Sequence, residues 1–596
     1  YFFLVVSTEH EPHRQTQEPI SSRAAHCGFG DVLRVLIAES LARRSVFGYE
    51  VMVLVGSERY LHDRQREEIR AGLEKDHGIT LSAGEVSTLC LRFVTYAEAL
   101  HRSRAPTLAE VLRRDGGWPL HIDATCEGGR GTLFVAMAGW RGWVLGAFKI
   151  PTERADAVLP ALREVVERFG DPCAVMRDLG RAMTLAAAWL VEERKLTIPV
   201  LGCHLHFLKD VGRDLLDAGH RALQQRLREA KLSASLRALS RDLGREIGED
   251  AVAARAAFVR WQEPPRVAAQ PLPQGRDGLA VVRGLAQWTL DHPGEGTSGS
   301  FPFDRPWLRL YERACVAHDA VDALLCSAPA DGRVRRALAR LCRALNAVVD
   351  DESCAFTAAA LRKRAEVFDE LRLVLRLHPP APGEDKEPPG LHVASEHELA
   401  QIRDVRAELE RWTLALIERR CEHGAAEDTR DAIDLVLAHI ERHGASLWGH
   451  AIARPAALGG GVRLVNRTNN IEETFFRDMK HGERRRSGRR NLAQDFETLP
   501  PGAALVQNLR KPDYVAVLCG TLDELPAAFA RLDAQRLAAA RSGVPATPVT
   551  AAATPITAES ASLPTVDRRA VRTDAMNRRV RALANTRPAR ARKLAG

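Results

Sequence analysis

The sequence predicts an α/β core with a mixed sheet, interrupted by a large all-α insertion and preceded by a helix-turn-helix region. Short β-prone runs alternate with amphipathic helical stretches between residues 118 and 203, and a long Ala-, Leu- and Arg-rich segment with helical periodicity follows them. Strands joined by tight turns run antiparallel, whereas strands joined through a helix run parallel. The sheet is therefore expected to be mixed.

The predicted core begins with a three-strand meander, because its apolar runs are separated by turns that contain glycine. Two amphipathic helices and two further strands follow. The predicted strands cover residues 119–125, 131–138, 143–150, 173–177 and 198–203, and the predicted helices cover residues 155–169 and 181–194. RNase H-like domains have this order of elements, and in them the first and fourth strands are neighbours.

Composition and periodicity predict five regions. Residues 1–104 form an N-terminal region that holds the helix-turn-helix segment, and residues 546–596 form a basic tail, rich in Ala, Thr and Pro and then in Arg, that is expected to be disordered. The α/β core is divided between residues 115–215 and residues 461–525, on either side of an α-helical insertion at residues 216–460.

A helix pair is predicted at residues 64–102, with a break at Gly78 and with Ser82 as the N-cap of the second helix. Apolar residues recur along the second helix at three- and four-residue steps and define one face, namely Val86, Leu89, Phe93, Tyr96 and Leu100. In a helix-turn-helix motif the other face would contact DNA, and the candidate contacts there are Glu85, Ser87, Thr88 and Arg92. A helical hairpin that packs on the core would have the same spacing.

The net charge of the chain bears on its binding partner, and the spacing of its cysteines bears on its cellular compartment. The 596 residues carry a formal net charge of +8, which suits a polyanion such as nucleic acid, although the composition bias of a GC-rich genome explains the arginines equally well. The eleven cysteines show no paired CxxC spacing, which argues against a disulfide framework and a four-ligand zinc module. A reducing cytoplasm is expected, and the apolar start of the chain is too short to span a membrane.

Three acidic positions are candidate metal ligands and catalytic residues. Asp123 lies within the first predicted strand, where a buried carboxylate is costly unless it is paired or binds a cation, and Asp178 ends the fourth. Neighbouring strands would bring the two together, and paired carboxylates suit Mg²⁺. Glu473, in the helix that opens with Asn469, is the third candidate because it shares a face with Lys480. Glu472 rivals it on spacing alone.

Basic residues follow the third acidic position. Lys480 lies two helical turns after Glu473 and begins a run that is suited to contact DNA phosphates, with the members Arg484, Arg485, Arg486, Arg489 and Arg490. The run could equally be a solvated helix end. Between the second and third acidic positions, Cys203 and His206 have the spacing of half a zinc site, but no second pair is evident. Orientation of the sheet edge by hydrogen bonds is the preferred role, with core packing as the alternative.

Taken in order, these features resemble the bacterial insertion-sequence transposases of the DDE class, including Mutator-like and related lineages with a helical insertion. The resemblance rests on Asp123, on Asp178 followed by Gly180, on the Asn-Asn-Ile-Glu-Glu segment with the basic run up to Gly488, and on Cys203 with His206 as a Cys-x-x-His motif. It covers residues 115–215 and 461–525. The insertion is unusually long for the family and shows no recognisable family motif.

The resemblance implies a DNA transposase that cleaves DNA and transfers its strands by two-metal phosphoryl transfer. Asp123, Asp178 and Glu473 would hold two Mg²⁺ or Mn²⁺ ions. The expected partners are double-stranded DNA, both transposon ends and target, and further copies of the chain in a dimer or larger oligomer, in the bacterial cytoplasm with the nucleoid. A silent transposase-derived DNA-binding protein and a structure-selective RNase H-like nuclease are the alternatives, and copy-paste against cut-and-paste transposition stays open.

Overall fold

The structure, a computed structural model, describes residues 47–248, 272, 274–291, 301–327, 331–377, 391–423 and 427–541. The apolar start of the chain and the predicted basic tail lie outside these residues. The described chain divides into two compact units, the first formed by residues 47–203, 391–394 and 449–541, and the second by the remaining residues between 204 and 448. No helix in the described part of the chain is both long and apolar enough to cross a bilayer.

The first unit contains a mixed five-stranded sheet. Its strands are β1 (Pro119–Glu127), β2 (Arg130–Ala138), β3 (Trp143–Lys149), β4 (Ala174–Arg177) and β5 (Val200–Gly202). They lie in the order β3-β2-β1-β4-β5, with β1, β2 and β3 antiparallel to one another in turn and β1, β4 and β5 parallel. The predicted element order, the mixed sheet and the pairing of the first with the fourth strand are confirmed.

Between residues 47 and 203, the described part of the chain before the insertion, there are five helices. They are α1 (Tyr49–Tyr60), α2 (Arg66–His77), α3 (Ala83–Arg114), α4 (Ala155–Phe169) and α5 (Arg181–Glu193). The helix α2 ends at Gly78, whose φ of +66° is a left-handed conformation that glycine adopts without steric cost. Ser82 caps α3, as predicted, and the Glu85 side chain accepts a hydrogen bond from the Ser82 backbone in return.

The helix α3 is longer than predicted. It continues through Pro106 to Arg114, so the predicted region boundary at residue 104 lies inside it. The helix persists because Leu108 and Leu112 extend the same buried face, and their burial offsets the hydrogen bond that proline cannot donate. All five apolar residues predicted for that face are buried in one core that also includes the sheet.

One buried histidine joins α3 to the sheet. Nε2 of His101 lies 3.1 Å from the carbonyl oxygen of Leu145 in β3 and donates to it, and Nδ1 lies 2.7 Å from the hydroxyl of Tyr514, which donates to it. This arrangement requires the neutral imidazole. Burial lowers the pKa of His101 to about 4.

The second unit is all-α in the residues described. Its helices are α6 (His204–Glu229), α7 (Leu232–Ile247), α8 (Gly275–Leu290), α9 (Pro306–Ser327), α10 (Gly332–Val349), α11 (Glu352–Val374), α12 (Glu396–Arg419) and α13 (Glu427–His443). A helical insertion is thus present, but it begins at residue 204 and not at the predicted 216. The helix starts earlier because Phe207 and Leu208 already belong to its buried face.

The chain leaves the first unit after β5 and returns beside the point where it left. Gly449, at φ +115°, is so close to this region that a Cβ atom there would lie 2.9 Å from Cβ of Pro199. In the second unit, Nε2 of His204 donates to the carbonyl oxygen of Leu447 at 2.8 Å. The two ends of the insertion are therefore adjacent. Midway, the backbone N–H of Ala394 donates to the carbonyl oxygen of Val462 at 2.8 Å.

The first unit is completed by the segment that follows the insertion. Its elements are β6 (Ala451–Ala453) and β7 (Val462–Leu464), which pair antiparallel, and α14 (Asn470–Ser487), α15 (Ala493–Thr498), α16 (Gly502–Val506), α17 (Pro512–Leu518) and α18 (Leu525–Arg541). The predicted final helix near residue 468 is α14. Described helices extend to residue 541, beyond the end at 525 predicted for the core.

We expect the contribution of His101 to the stability of the first unit to decrease as the pH falls from 6.5 to 4. Over this range the unfolded chain binds a proton at His101, whose ordinary pKa is 6.5, whereas the folded protein does not until the pH reaches about 4. The contribution of this residue across the range is about 3 kcal/mol. Urea titrations of the wild type and of His101→Gln at several pH values measure it as the difference between the two pH profiles, with the wild type losing more stability, or gaining less, as the pH falls. An equal slope in the variant would contradict the assignment.

Candidate active site

Two aspartates meet at one edge of the sheet. The parallel strands β1 and β4 pair Ile122 with Arg177, and the next residue of each strand is Asp123 and Asp178. Neighbouring strands are about 4.8 Å apart, so the register alone places Asp123, within β1, beside Asp178, at the carboxyl end of β4. Ligands gather at this edge in open α/β sheets.

The charge of one aspartate acts on the other. Burial raises the pKa of Asp123 to about 8, and the negative charge of Asp178 is the second cause. A hydrogen bond of 2.7 Å from the backbone N–H of Ala124 to Oδ1 of Asp123 opposes the shift. The pKa stays raised despite this donor, because burial and the charge of Asp178 outweigh it.

Asp178 is fixed by the turn that leads into α5. Its Oδ1 accepts a hydrogen bond of 3.1 Å from the backbone N–H of Gly180, and a Cβ at Gly180 would lie 3.0 Å from its Oδ2. The buried guanidinium of Arg177 donates to the backbone oxygen of Asp178 at 2.7 Å. The absence of a side chain at Gly180, two residues after the aspartate, therefore allows the carboxylate to fold back over the start of the helix.

Both glutamates of α14 are coupled electrostatically to the aspartates. Glu472 is fully buried, and its pKa is raised well above the ordinary value by burial and then by the charge of Asp123, with a smaller contribution from Asp178. Glu473 is half-buried, and its charge adds to the raised pKa of Asp123. The structure thus brings both sequence candidates to the aspartates, the inner position being that of Glu472.

Asn469 holds the start of α14 against the sheet. Its Nδ2 donates to Oε2 of Glu472 at 2.5 Å and to the carbonyl oxygen of Ile122 at 3.4 Å, and its Oδ1 accepts from Nδ1 of His121 at 2.8 Å. Burial lowers the pKa of His121 to about 4, which keeps the ring neutral. Neither Asn469 nor His121 was a sequence candidate. An amide three residues before the first of two adjacent glutamates was the available signal for Asn469.

The predicted supporting residues lie in different settings. Cys203 is buried at the end of β5, and its Sγ accepts a hydrogen bond of 3.1 Å from the backbone N–H of Asn469. It therefore orders the same junction. His206 lies half-buried in α6, in the second unit.

Sequence reasoning missed a further carboxylate at this edge. Glu153 follows β3, and its charge contributes to the raised pKa of Asp123, while burial and the charge of Asp178 raise the pKa of Glu153 itself. The sequence offered one signal, an acidic residue in the loop after a strand that runs in the direction of β1. That signal identifies Glu153 as a site residue only when the order of the strands is known.

The carboxylates are coupled to one another, but they do not form a metal-binding arrangement. Within the described ranges, which end at residue 541, no group of three or more His, Cys, Asp or Glu side chains has an arrangement that could hold a metal ion. One oxygen of the cluster nevertheless has no hydrogen-bond partner there, namely the buried Oε1 of Glu472. Carboxylates without a counterion repel each other.

Most of the predicted DNA-contacting residues form ion pairs within the protein. Lys480 and Arg484 both pair with Glu127 at the end of β1, at 3.3 and 3.4 Å, and Nζ of Lys480 also donates to the carbonyl oxygen of Cys126. Arg485 pairs with Glu68 and Arg489 with Asp495, both from exposed positions. Arg490 is exposed.

The prediction that Arg486 contacts DNA is wrong, because its side chain is only 2 % exposed. Its guanidinium pairs with Asp63 at 2.6 Å and with Glu483 at 2.7 Å, so it does not face solvent where DNA could reach it. It joins the end of α14 to the loop between α1 and α2. In the same place, Arg59 donates to the backbone oxygen of Arg486 at 3.1 Å and satisfies a carbonyl that the helix end leaves open.

The outer face of α3 is mixed in exposure. Glu85 and Thr88 are exposed, but Glu85 is engaged in capping the helix, whereas Ser87 is half-buried and accepts a hydrogen bond of 2.9 Å from Arg66 of α2. Arg92 is half-buried. Thr88 is therefore the most accessible of the four predicted contacts.

Comparisons of the chain with protein-family models, with curated proteins and with solved structures found no match.

We expect Arg486→Ala to lower the free energy of unfolding of the first unit by about 3 kcal/mol, because it leaves the buried Glu483 without its counterion and Asp63 with Arg510 alone. Arg490→Ala, a change of the same kind at an exposed position, should alter it by less than about 0.5 kcal/mol. Urea denaturation of both variants measures the difference. Equal stability of the two variants would show that the buried ion pairs do not stabilise the first unit.

Proposed function

We propose that the chain is a DNA transposase of the DDE class with an RNase H-like core, which cleaves DNA and transfers its strands at the sheet edge of Asp123 and Asp178. The observation that carries the proposal is the strand register that sets Asp123 beside Asp178, where the charges of Asp178 and of Glu473 act on Asp123 and the charge of Asp123 acts on Glu472. Glu473 is the proposed third ligand, because its half-buried position leaves it accessible to a cation and to a substrate.

The residues present fit a divalent cation. All the donors are carboxylate oxygens, which Mg²⁺ and Mn²⁺ prefer. Asp123 is buried beside the charge of Asp178, and Oε1 of Glu472 has no hydrogen-bond partner among the described atoms, so a bound cation would stabilise both carboxylates. Neutralisation would also remove the repulsion between the carboxylates.

Two bound ions would supply an activated water or 3′-hydroxyl and a stabilised leaving oxygen for in-line displacement at a phosphodiester. The chain itself contributes by holding the carboxylates in fixed positions. The sheet register fixes Asp123 beside Asp178, and the Asn469 junction fixes the first turn of α14 against the same strand. Rigid elements thus hold the donors, which reduces the cost of ordering them during the reaction.

The basic residues of α14 and the following loop are proposed to bind the DNA backbone beside the site. Exposed ion pairs are worth about 0–1 kcal/mol, so Arg485 and Arg489 can exchange their internal partners for phosphates at little cost. Lys480 and Arg484 are half-buried and hold Glu127, from which they would contact the phosphates nearest to β1. Arg490 completes this surface, and Arg486 is not part of it.

The helix pair α2–α3 is proposed to recognise the ends of the element as a helix-turn-helix motif. Its exposed face offers Thr88 with Glu85 beside it, and Arg92 lies one turn further along the helix. Cleavage at two ends requires two active sites, which supports a dimer or a larger assembly on DNA.

Asp178→Asn should keep DNA binding and abolish cleavage. The amide has nearly the shape of the carboxylate, but it lacks the negative charge that would hold a cation, so nicking with Mg²⁺ or Mn²⁺ should fall at least about 100-fold. Binding should persist, because it depends on the basic surface. Gel shift and nicking are measured on one preparation, and strand transfer separates a transposase from a nuclease. Nicking by the variant at the wild-type rate would refute the metal-site assignment.

The two glutamates of α14 provide a matched pair for the third ligand. Glu473→Gln should reduce nicking as strongly as Asp178→Asn, whereas Glu472→Gln should retain measurable nicking, because its oxygen is held by Asn469. Thermal melting of both variants controls for folding. Loss of nicking in Glu472→Gln alone would assign the third ligand to Glu472 and leave the remainder of the proposal intact.

A further inference from the structure

The topology brings a third loop to the edge where the aspartates lie. The strand β3 is antiparallel to β2, which is antiparallel to β1, so β3 runs in the same direction as β1 and β4. Its carboxyl end therefore opens onto the edge of Asp123 and Asp178. Glu153 lies in the short loop between this strand and α4.

The charge of Glu153 acts on the aspartates and is not neutralised by its neighbour. It contributes to the raised pKa of Asp123, and the charge of Asp178 contributes to the raised pKa of Glu153. The adjacent Arg154 turns to Asp156, with Nη2 and Oδ2 2.9 Å apart. Within the part of the chain that the structure describes, no ion pair is found for Glu153.

A second observation indicates that this acidic cluster is built to receive a ligand. Glu472 is fully buried, Asn469 holds its Oε2, and its Oε1 is left without a partner among the described atoms while the carboxylate feels the charges of Asp123 and Asp178. A buried oxygen without a donor costs about 1–3 kcal/mol, and this cost is recovered when a ligand supplies positive charge.

We propose that Glu153 is a fourth carboxylate of the divalent-cation site and closes onto a bound ion from the loop after β3. The inference rests on the proposed function. Two divalent ions carry four positive charges, and the carboxylates of Asp123, Asp178 and Glu473 carry three negative ones. Glu153 balances the charge before the scissile phosphate arrives, and its exposed position on a loop lets it move to the ion.

Manganese binding tests the proposal without reference to activity. The full chain is titrated with Mn²⁺ by calorimetry and by the electron paramagnetic resonance signal of free Mn²⁺, for the wild type, Glu153→Gln, Asp178→Asn and Glu192→Gln. The last is an exposed glutamate near the end of α5, which runs from the edge of Asp178 towards the opposite edge. Melting curves without metal verify that each variant is folded.

Glu153→Gln should weaken the binding of at least one Mn²⁺ ion about tenfold, whereas Glu192→Gln should bind as the wild type does. Wild-type binding by Glu153→Gln, or equal weakening in both glutamine variants, would overturn the inference. The first result would show that Glu153 is no ligand, and the second that any surface charge has the same effect. Wild-type binding by Asp178→Asn would instead refute the proposed function, so the two failures are distinguishable.

Discussion

The candidate site depends on how one buried side chain, that of Asn469, joins distant stretches of the chain. Its amide bonds to His121 and to the backbone of Ile122 in β1 and to Glu472 in α14, and its backbone N–H bonds to the thiol of Cys203. Every donor and acceptor of this amide is used inside the protein, where an unmade hydrogen bond is costly. The first turn of α14 thus has one available position against the sheet, although more than 240 residues of insertion separate it from β5.

The sequence predicted those parts of the fold that local periodicity encodes. The strands of the sheet and the helices α4 and α5 lie where the alternation of apolar residues predicted them, to within about two residues at most ends. The meeting of Asp123 with Asp178 followed from the element order, because parallel neighbours fix which residues stand side by side. The cap at Ser82 was visible because a capping box is a local pattern. In each case the determining contacts lie close together in the sequence or repeat with a simple period.

What could not be predicted depends on partners that are remote in sequence. Arg486 reads like the other arginines of its run, and only the folding of Asp63 beside it makes it a buried counterion. Glu153 becomes notable only when the strand order turns its loop towards Asp123. The extension of α3 past Pro106 is paid for by core contacts of Leu108 and Leu112, which outweigh the local signal for a helix end. The start of the insertion moved to residue 204 for the same reason, since burial of Phe207 favoured helix directly after β5.

The adjacency of the two ends of the insertion bears on how such a chain can change over generations. Because residue 203 and Gly449 mark neighbouring points of one strand region, a helical segment can be lengthened, shortened or replaced between them without altering the order of any strand. Such an exchange would affect the first unit mainly at residues 391–394, where the backbone forms a hydrogen bond with β7. Gly449 would have to remain glycine in such an exchange, since its positive φ and its closeness to Pro199 leave no room for a side chain. Relatives with very different insertions are therefore expected to keep a glycine where the chain re-enters the sheet-bearing unit.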